Sequence, residues 1–433
     1  MYAELTLENI TLTKGATPSN HIGGAGVYVN SGGTLIMQGS STITNCKAGK
    51  GGGVHVSGGT FKMQDSAIVT PSTGSEQYTA GKNDVYLESG KTITVDDILS
   101  NNPAARITPQ SYTENTPVLK GAITTSSPQN RKKFTVPPQK VTENSENWNV
   151  FWYVATDGTL KAEVEDLETL KEAIDAAPAD DKPFIIKLAG TIDDLQTVQI
   201  PGNKKITLKA DREVTLTCPS KGNDYKHLQV QNNASLTLEG QITLQGADSS
   251  YRKLHYALSV NHNGNAEIKR GVTITGCKNS NVTTTDGVEH SGKDPIVVDG
   301  TLTMSGGTIK ENIVENDVTV WSGGGGVYIH AKWRNFTMTG GTIKGNTATE
   351  HGGGVYVDGS YNGGYPIRGQ FTMLGGTITG NTAEINGKAV FVHHGDFTWT
   401  SGQITANTGN GAAVATELSG TVTNNTSPHQ EPS

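Results

Sequence analysis

The polar and apolar positions alternate in short bursts. Val355-Tyr356-Val357 and Phe371-Thr372-Met373 each read apolar–outward–apolar, the period-two pattern of a strand with one buried face. Between the bursts stand glycine and asparagine, which permit positive φ and sharp corners. The bursts recur in order. Val327 returns as Val355 (355 − 327 = 28), Met338 as Met373 (373 − 338 = 35) and Ile343 as Ile378 (378 − 343 = 35). The pattern also occurs near the start of the chain: Val27-Tyr28-Val29 and Leu35-Ile36-Met37, then Val54-His55-Val56 and Phe61-Lys62-Met63. A repeat of this length offers about three short strands and buries its inner face only by stacking on its neighbours. The expected fold is all-β, a parallel β-helix.

Three residues after each core isoleucine stands a further column: Cys46, Cys277, Asn312, Asn346, Asn381 and Asn407. Asparagine in register on successive repeats forms an amide ladder, and cysteine in the same slot marks a small buried position. The one helical pattern covers 164–177, where Leu167, Leu170 and Ile174 share a face, acids crowd the first turn and Pro178 follows. It is expected to cap a second stack. The expected organisation is therefore 1–95, the last coils of a first β-helix; 96–162, a capping and connecting β module with six of the 16 prolines and the aromatics Trp148, Phe151, Trp152 and Tyr153; 163–426, a second β-helix; and 427–433, a frayed tail.

The units GGGVYV and FTMTGGTIKGNTA resemble those of bacterial cell-surface right-handed β-helix proteins, the adhesin-like or polymorphic-outer-membrane-protein-like repeats of spirochaetes and gut bacteria. The resemblance covers Gly23–Ala67 and Gly271–Asn425 well and the middle more weakly. It implies a right-handed parallel β-helix, two tandem units, an extracellular or cell-surface location, and a non-catalytic adhesin-like binding or stalk role. A glycan or a host or matrix protein would be the partner. The fold also carries polysaccharide lyases and glycoside hydrolases of the pectin-lyase-like kind, so a carbohydrate-active enzyme is the alternative and a structural spacer the second. The enzyme is not favoured. The Asn-Thr-Asp and Gly-His-Gly motifs of polygalacturonase-like sites are absent, and the adjacent acids Asp96-Asp97, Asp180-Asp181 and Asp193-Asp194 form no dyad on one face.

Composition narrows this further. The 433 residues carry 54 glycines and a net charge of −7 without a basic block, which excludes a nucleic-acid binder by charge. No apolar run reaches the length of a membrane helix. Three cysteines give no disulfide framework. The chain opens in a strand-like repeat with no signal peptide, and it reads as a piece of a longer exported protein. No cofactor is expected.

Three groups of side chains are candidate sites. Tyr328, Tyr356 and Phe391 occupy the centre of the Val-x-Val triplet in successive repeats, expected as an outward aromatic stripe for sugars or a protein partner, or as cross-strand packing. Two repeats are lengthened, one by Ala331–Asn335 with Trp333 and Arg334, the other by Gly359–Arg368 with Tyr361 and Tyr365. Insertions of this kind map to loops, often on a binding face. Finally, Asp299, His330, Asp358 and His393 end successive Val-x-Val strands. They are candidates for a divalent metal held through His330, Asp358 and His393, for a charge ladder, or for a plain polar corner; the matching Asn30 and Ser57 favour the last.

Overall fold

A computed structural model describes residues 3–18, 23–76, 78–143, 146–180, 182–195, 197–218, 225–246, 255–280, 294–315, 323–331, 334–362 and 365–424. The tail 427–433 lies outside the described residues. The chain is all-β with one α-helix among those residues, and its strands pair mostly in parallel. It divides into two compact units, Met1–Glu163 and Val164–Ser433.

In the second unit the Val-x-Val strands form one parallel sheet running Val198–Ile200, Tyr225–Val230, His255–Val260, Ile296–Val298, Val327–Ile329, Val355–Val357, Val390–His393 and Val414–Glu417. Like residues align, with Val327 opposite Val355 and Val355 opposite Val390. A second column aligns Phe336 with Phe371 and Phe371 with Phe397. Those rings stack inside the unit at 4.9 and 4.8 Å between centroids. Trp399 takes the slot of Met373, as the repeat spacing implies. A third column aligns Ile309, Ile343 and Ile378. The alternation predicts about three strands per repeat, but a fourth follows the asparagine: Lys278–Ser280, Ile313–Glu315, Thr347–Ala348, Thr382–Ala383 and Thr408–Gly409. In the last three repeats this strand is only two residues long, too short to show alternation. Parallel columns whose partners lie one repeat apart are compatible with a β-solenoid.

The asparagine column is buried between the third and fourth strands. Each amide donates to the next: Asn312 Nδ2 to Asn346 Oδ1 at 2.9 Å, Asn346 Nδ2 to Asn381 Oδ1 at 2.9 Å, and Asn381 Nδ2 to Asn407 Oδ1 at 3.0 Å. Each Oδ1 also accepts the backbone N–H of the preceding slot, and Cys277 N–H begins the series on Asn312 at 3.0 Å. The first unit repeats the arrangement: Cys46 N–H donates to Asn83 Oδ1 at 3.0 Å. Asn83 was not in the predicted column because a long loop displaces it in sequence. A cysteine fits the first position of either run because that position donates only its backbone N–H to the next amide.

The first unit has three parallel sheets, ending on Glu4–Glu8, Thr11–Thr13 and Val27–Val29. The boundary expected at residue 95 falls inside the strand Ile93–Leu99. Ala105–Pro109 aligns on Val85–Leu87, Leu119–Gly121 on Ile93–Leu99, and Phe134–Thr135 on Ala105–Pro109, so the stacking continues to residue 135. Pro109 ends its strand, Pro103 lies in a connection and Pro117 makes only an isolated antiparallel bridge to Thr159, so none interrupts a ladder. Proline content therefore misread these repeats as a separate module. The antiparallel pairs Gln139–Glu143 with Glu146–Val150 and Tyr153–Val154 with Leu160–Lys161 come after them.

The α-helix spans Leu167–Ala176, shorter than the expected 164–177. Asp166 caps its start, accepting the Thr169 N–H at 2.8 Å. Leu170, Ala173 and Ile174 are buried, and the helix packs on the strand Phe184–Leu188. Lys204 Nζ donates to the last-turn carbonyls of Ile174 and Asp175 at 2.7 and 2.8 Å, a cation placed at the negative end of the helix.

Candidate functional site

The outward aromatic stripe is not exposed. Tyr328, Tyr356 and Phe391 are 4%, 1% and 0% exposed and form their own apolar cluster with Ala415 and the half-buried Val297. Their rings contact in sequence, at 5.5 Å from Tyr328 to Tyr356 and 5.2 Å from Tyr356 to Phe391. The glycine clusters explain the difference. The chain before each triplet folds back over the outer face, so that a side-chain carbon at Gly352 would lie 3.0 Å from Tyr356 Cβ and one at Gly387 2.6 Å from Phe391 Cβ. His351 stacks on Phe391 at 4.1 Å. Alternation correctly places these rings outside the inner core, but the glycine backbone makes a second apolar layer there. Sugar stacking by these three residues is therefore excluded in this state.

What remains accessible is the corner at the end of the same strands. Register brings Asp299, His330, Asp358 and His393 to consecutive positions, directly after Val298, Ile329, Val357 and Val392. They pair two by two. His330 Nδ1 lies 3.4 Å from Asp299 Oδ1, in an open pair with side chains 40% and 38% exposed. His393 Nδ1 lies 3.1 Å from Asp358 Oδ1 in a more sheltered one. Asp358 also accepts the Tyr328 hydroxyl at 2.7 Å and the Gly359 N–H at 2.8 Å. The carboxylate thus ties the ring of the preceding repeat to the imidazole of the following one. Burial, reinforced by this carboxylate, holds the Tyr328 hydroxyl well above the ordinary tyrosine range. His394 contacts His393 at 4.7 Å and Ser419 Oγ at 2.8 Å; desolvation, then the neighbouring His393, lowers its pKa. The candidate metal site through His330, Asp358 and His393 is not assembled: no group of three or more His, Cys, Asp or Glu side chains among the described residues is placed to hold a metal. A straight column supplies pairs rather than convergent ligands.

Both lengthened repeats open at this corner. Arg334 lies with Nε 3.9 Å from Asp299 Oδ1, and its guanidinium hydrogen-bonds the His262 ring. Trp333 lies outside the described residues. Directly after Asp358 the chain leaves the repeat as an antiparallel hairpin, Gly359–Asn362 with Tyr365–Arg368, which contains Tyr361 and Tyr365. Its base is fixed by Arg368, whose guanidinium donates to Asp396 Oδ1 at 2.9 Å, Ser419 O at 2.7 Å and Gly395 O at 3.3 Å. The sequence pattern does not single out Arg368 or His262; the only signal is that both stand in the connection that follows a Val-x-Val-type strand.

No family model, no curated protein and no solved structure matches the chain.

Proposed function

We propose that the chain is a right-handed parallel β-helix of two tandem units, acting as a non-catalytic, adhesin-like binding or stalk domain at the cell surface. Its ligand-binding face is the polar corner that carries the hairpin, and its partner is a glycan or a host or matrix protein. The observation that carries this reading is the hairpin itself: it departs from an otherwise regular repeat beside the Asp299–His330 and Asp358–His393 pairs, and Arg368 anchors it by three hydrogen bonds. A loop held by a rigid scaffold beside paired donors and acceptors is the arrangement in which binding residues are usually found. The stacked rings and amide ladder supply the scaffold, and their side chains are engaged with one another rather than with an open cleft.

The test replaces residues 359–370 by the three-residue connection of the next repeat, His394-Gly395-Asp396. Wild type and variant are compared on a glycan array and on immobilised matrix proteins, with reducing-sugar and unsaturated-product assays alongside. Binding lost in a variant of unchanged melting temperature supports the reading. Binding that survives the replacement, or turnover of a polysaccharide by the wild type, overturns it.

A further inference from the structure

The hairpin leaves its repeat against two adjacent histidines. Val357 stands opposite Val392, so Gly359 starts the hairpin level with His394, and Glu417 stands opposite His393. The approach is close. A side-chain carbon on Gly359 would lie 2.6 Å from His394 Cβ and 2.3 Å from His394 O. His394 itself holds a φ of 59°, in the left-handed region. The two imidazoles meet edge-on at 4.7 Å and turn to different partners. His393 Nδ1 faces Asp358. His394 Nδ1 lies 2.8 Å from Ser419 Oγ and accepts the Ser419 N–H at 3.4 Å, which needs the lone pair of a neutral ring. Ser419 O in turn accepts from Arg368, and the other two acceptors of that guanidinium, Gly395 O and Asp396 Oδ1, belong to the two residues after His394. The charged groups around His394 are therefore His393 beside it, Asp358 from the preceding repeat, Arg368 from the hairpin, Asp396 from its own connection and Glu417 from the following repeat.

We propose that the hairpin base is a proton-operated latch: neutral His394 keeps the hairpin docked on its repeat, and a proton on His394 releases it, so the corner holds its ligand near neutral pH and lets it go in acid. This rests on the reading of the corner as the binding face and adds its regulation. The charges give the direction. A proton on His393 is matched by the Asp358 carboxylate at 3.1 Å. A proton on His394 Nδ1 instead ends the bond from Ser419 N–H. It also places a cation beside His393 and the Arg368 guanidinium, which already engages Asp396. Desolvation, then His393, lowers the His394 pKa in the docked state; Asp358 opposes them and Arg368 adds to them. An undocked ring returns toward the ordinary histidine value of about 6.5. A histidine whose pKa is depressed by docking favours the docked state fully above that value, and the contribution is lost as pH falls below it.

The experiment follows amide hydrogen exchange of the full chain between about pH 7.5 and 5.5, corrected for intrinsic rates and with no ligand present. It is read by mass spectrometry on peptides covering the hairpin strands and, as internal control, the ladder around Asn346. In the wild type, hairpin protection falls at least about threefold across that range, within the limit of about tenfold per pH unit that one proton allows. The ladder peptide keeps its protection. His394→Asn retains a side-chain acceptor, tolerates the left-handed φ and does not titrate. It holds the wild-type protection at the upper pH and loses the pH dependence. Flat hairpin protection in the wild type, an equal fall in the ladder peptide, or the same fall in His394→Asn overturns the latch. The wild-type profile decides by itself where the variant does not fold. Exchange is read without ligand, so the latch can fail while the binding reading stands, and failure of the binding reading is read separately by the hairpin replacement.

Discussion

The amide ladder makes a quantitative prediction for Asn346→Leu, a change that keeps the side-chain branching but replaces the amide by two larger methyl groups at a fully buried position. The side chain of Asn346 takes part in four hydrogen bonds. Its Nδ2 donates to Ile309 O at 3.1 Å and Asn381 Oδ1 at 2.9 Å, and its Oδ1 accepts from Asn312 N at 3.2 Å and Asn312 Nδ2 at 2.9 Å. Leucine removes all four. Asn381 Oδ1 keeps the backbone N–H of residue 346, and Asn312 Nδ2 keeps Ile274 O. Asn312 N–H and Ile309 O are left without these partners in a dry interior. At about 1–3 kcal/mol for each stranded buried group, the cost is about 3–5 kcal/mol, offset only slightly by the apolar side chain. Asn407→Leu is the internal comparison. Asn407 ends the ladder and is half-buried, so water can replace its bonds and the cost falls to about 1 kcal/mol. Urea unfolding followed by far-ultraviolet circular dichroism reads both variants on one scale. Equal shifts in midpoint, or less than about 1 kcal/mol for Asn346→Leu, would refute the ladder as a source of stability.

Gly352→Ala should lower the melting temperature well beyond Gly90→Ala. Both have positive φ (67° and 74°), which costs a side chain about 1–2 kcal/mol, but a Cβ at 352 meets Val355 O at 2.7 Å and Tyr356 Cβ at 3.0 Å whereas one at 90 meets nothing within 4 Å. The cysteines should be inert to an aromatic disulfide reagent at pH 8 in the folded protein and all three should react in denaturant, since all are buried and burial pushes the Cys218 thiol up to about 12 and the Cys277 thiol higher than its ordinary value. The sign for stability follows. A thiol whose pKa is raised by folding stays neutral in the folded chain while the unfolded one ionises, so its contribution is intact below about pH 8.5 and is lost as pH rises toward 12. A pH titration of the urea midpoint in wild type and Cys218→Ala checks this; identical slopes would refute it.

Much of the fold was legible because its cause is local. Val327, Val355 and Val390 announce their alignment by spacing and neighbours alone, and so do Phe336, Phe371 and Phe397. What was hidden depends on backbone acting at a distance. The fourth strand column is two residues long in the late repeats, too short to alternate. The burial of Tyr356 depends on the path of the glycines around Gly352, which no period-two rule contains. The repeats between 96 and 135 were obscured by prolines whose composition suggests a linker and whose positions at strand ends and turns do not. At the corner, the order of Asp299, His330, Asp358 and His393 could be counted from the sequence, but their pairing could not, because spacing does not say which imidazole turns toward which carboxylate.

The tie between Tyr328 and Asp358 has a counterpart in the first unit, and the pair together explains what the corner acids are for. His55 stands opposite Tyr86, and its Nε2 lies 3.1 Å from the carboxylate of Glu88, two residues further along that neighbouring strand. Tyr328 stands opposite Tyr356, and its hydroxyl meets the carboxylate of Asp358, again two residues further along. The rings differ, the acids differ in length, and the separations in sequence are 33 and 30 residues, yet the relation is the same. A ring that is held outside the inner core and then roofed by glycine backbone carries its polar tip into a site with little water. That tip needs an acceptor, and the nearest free backbone is already committed to the parallel ladder. The end of the next strand is the closest place from which a side chain can reach it. An acid at that corner is therefore first explained by the ring one repeat before it. Asp299 has no such ring: Ser259 stands in the ring's position, and the Asp299 carboxylate meets His330 and Arg334 at the open corner instead.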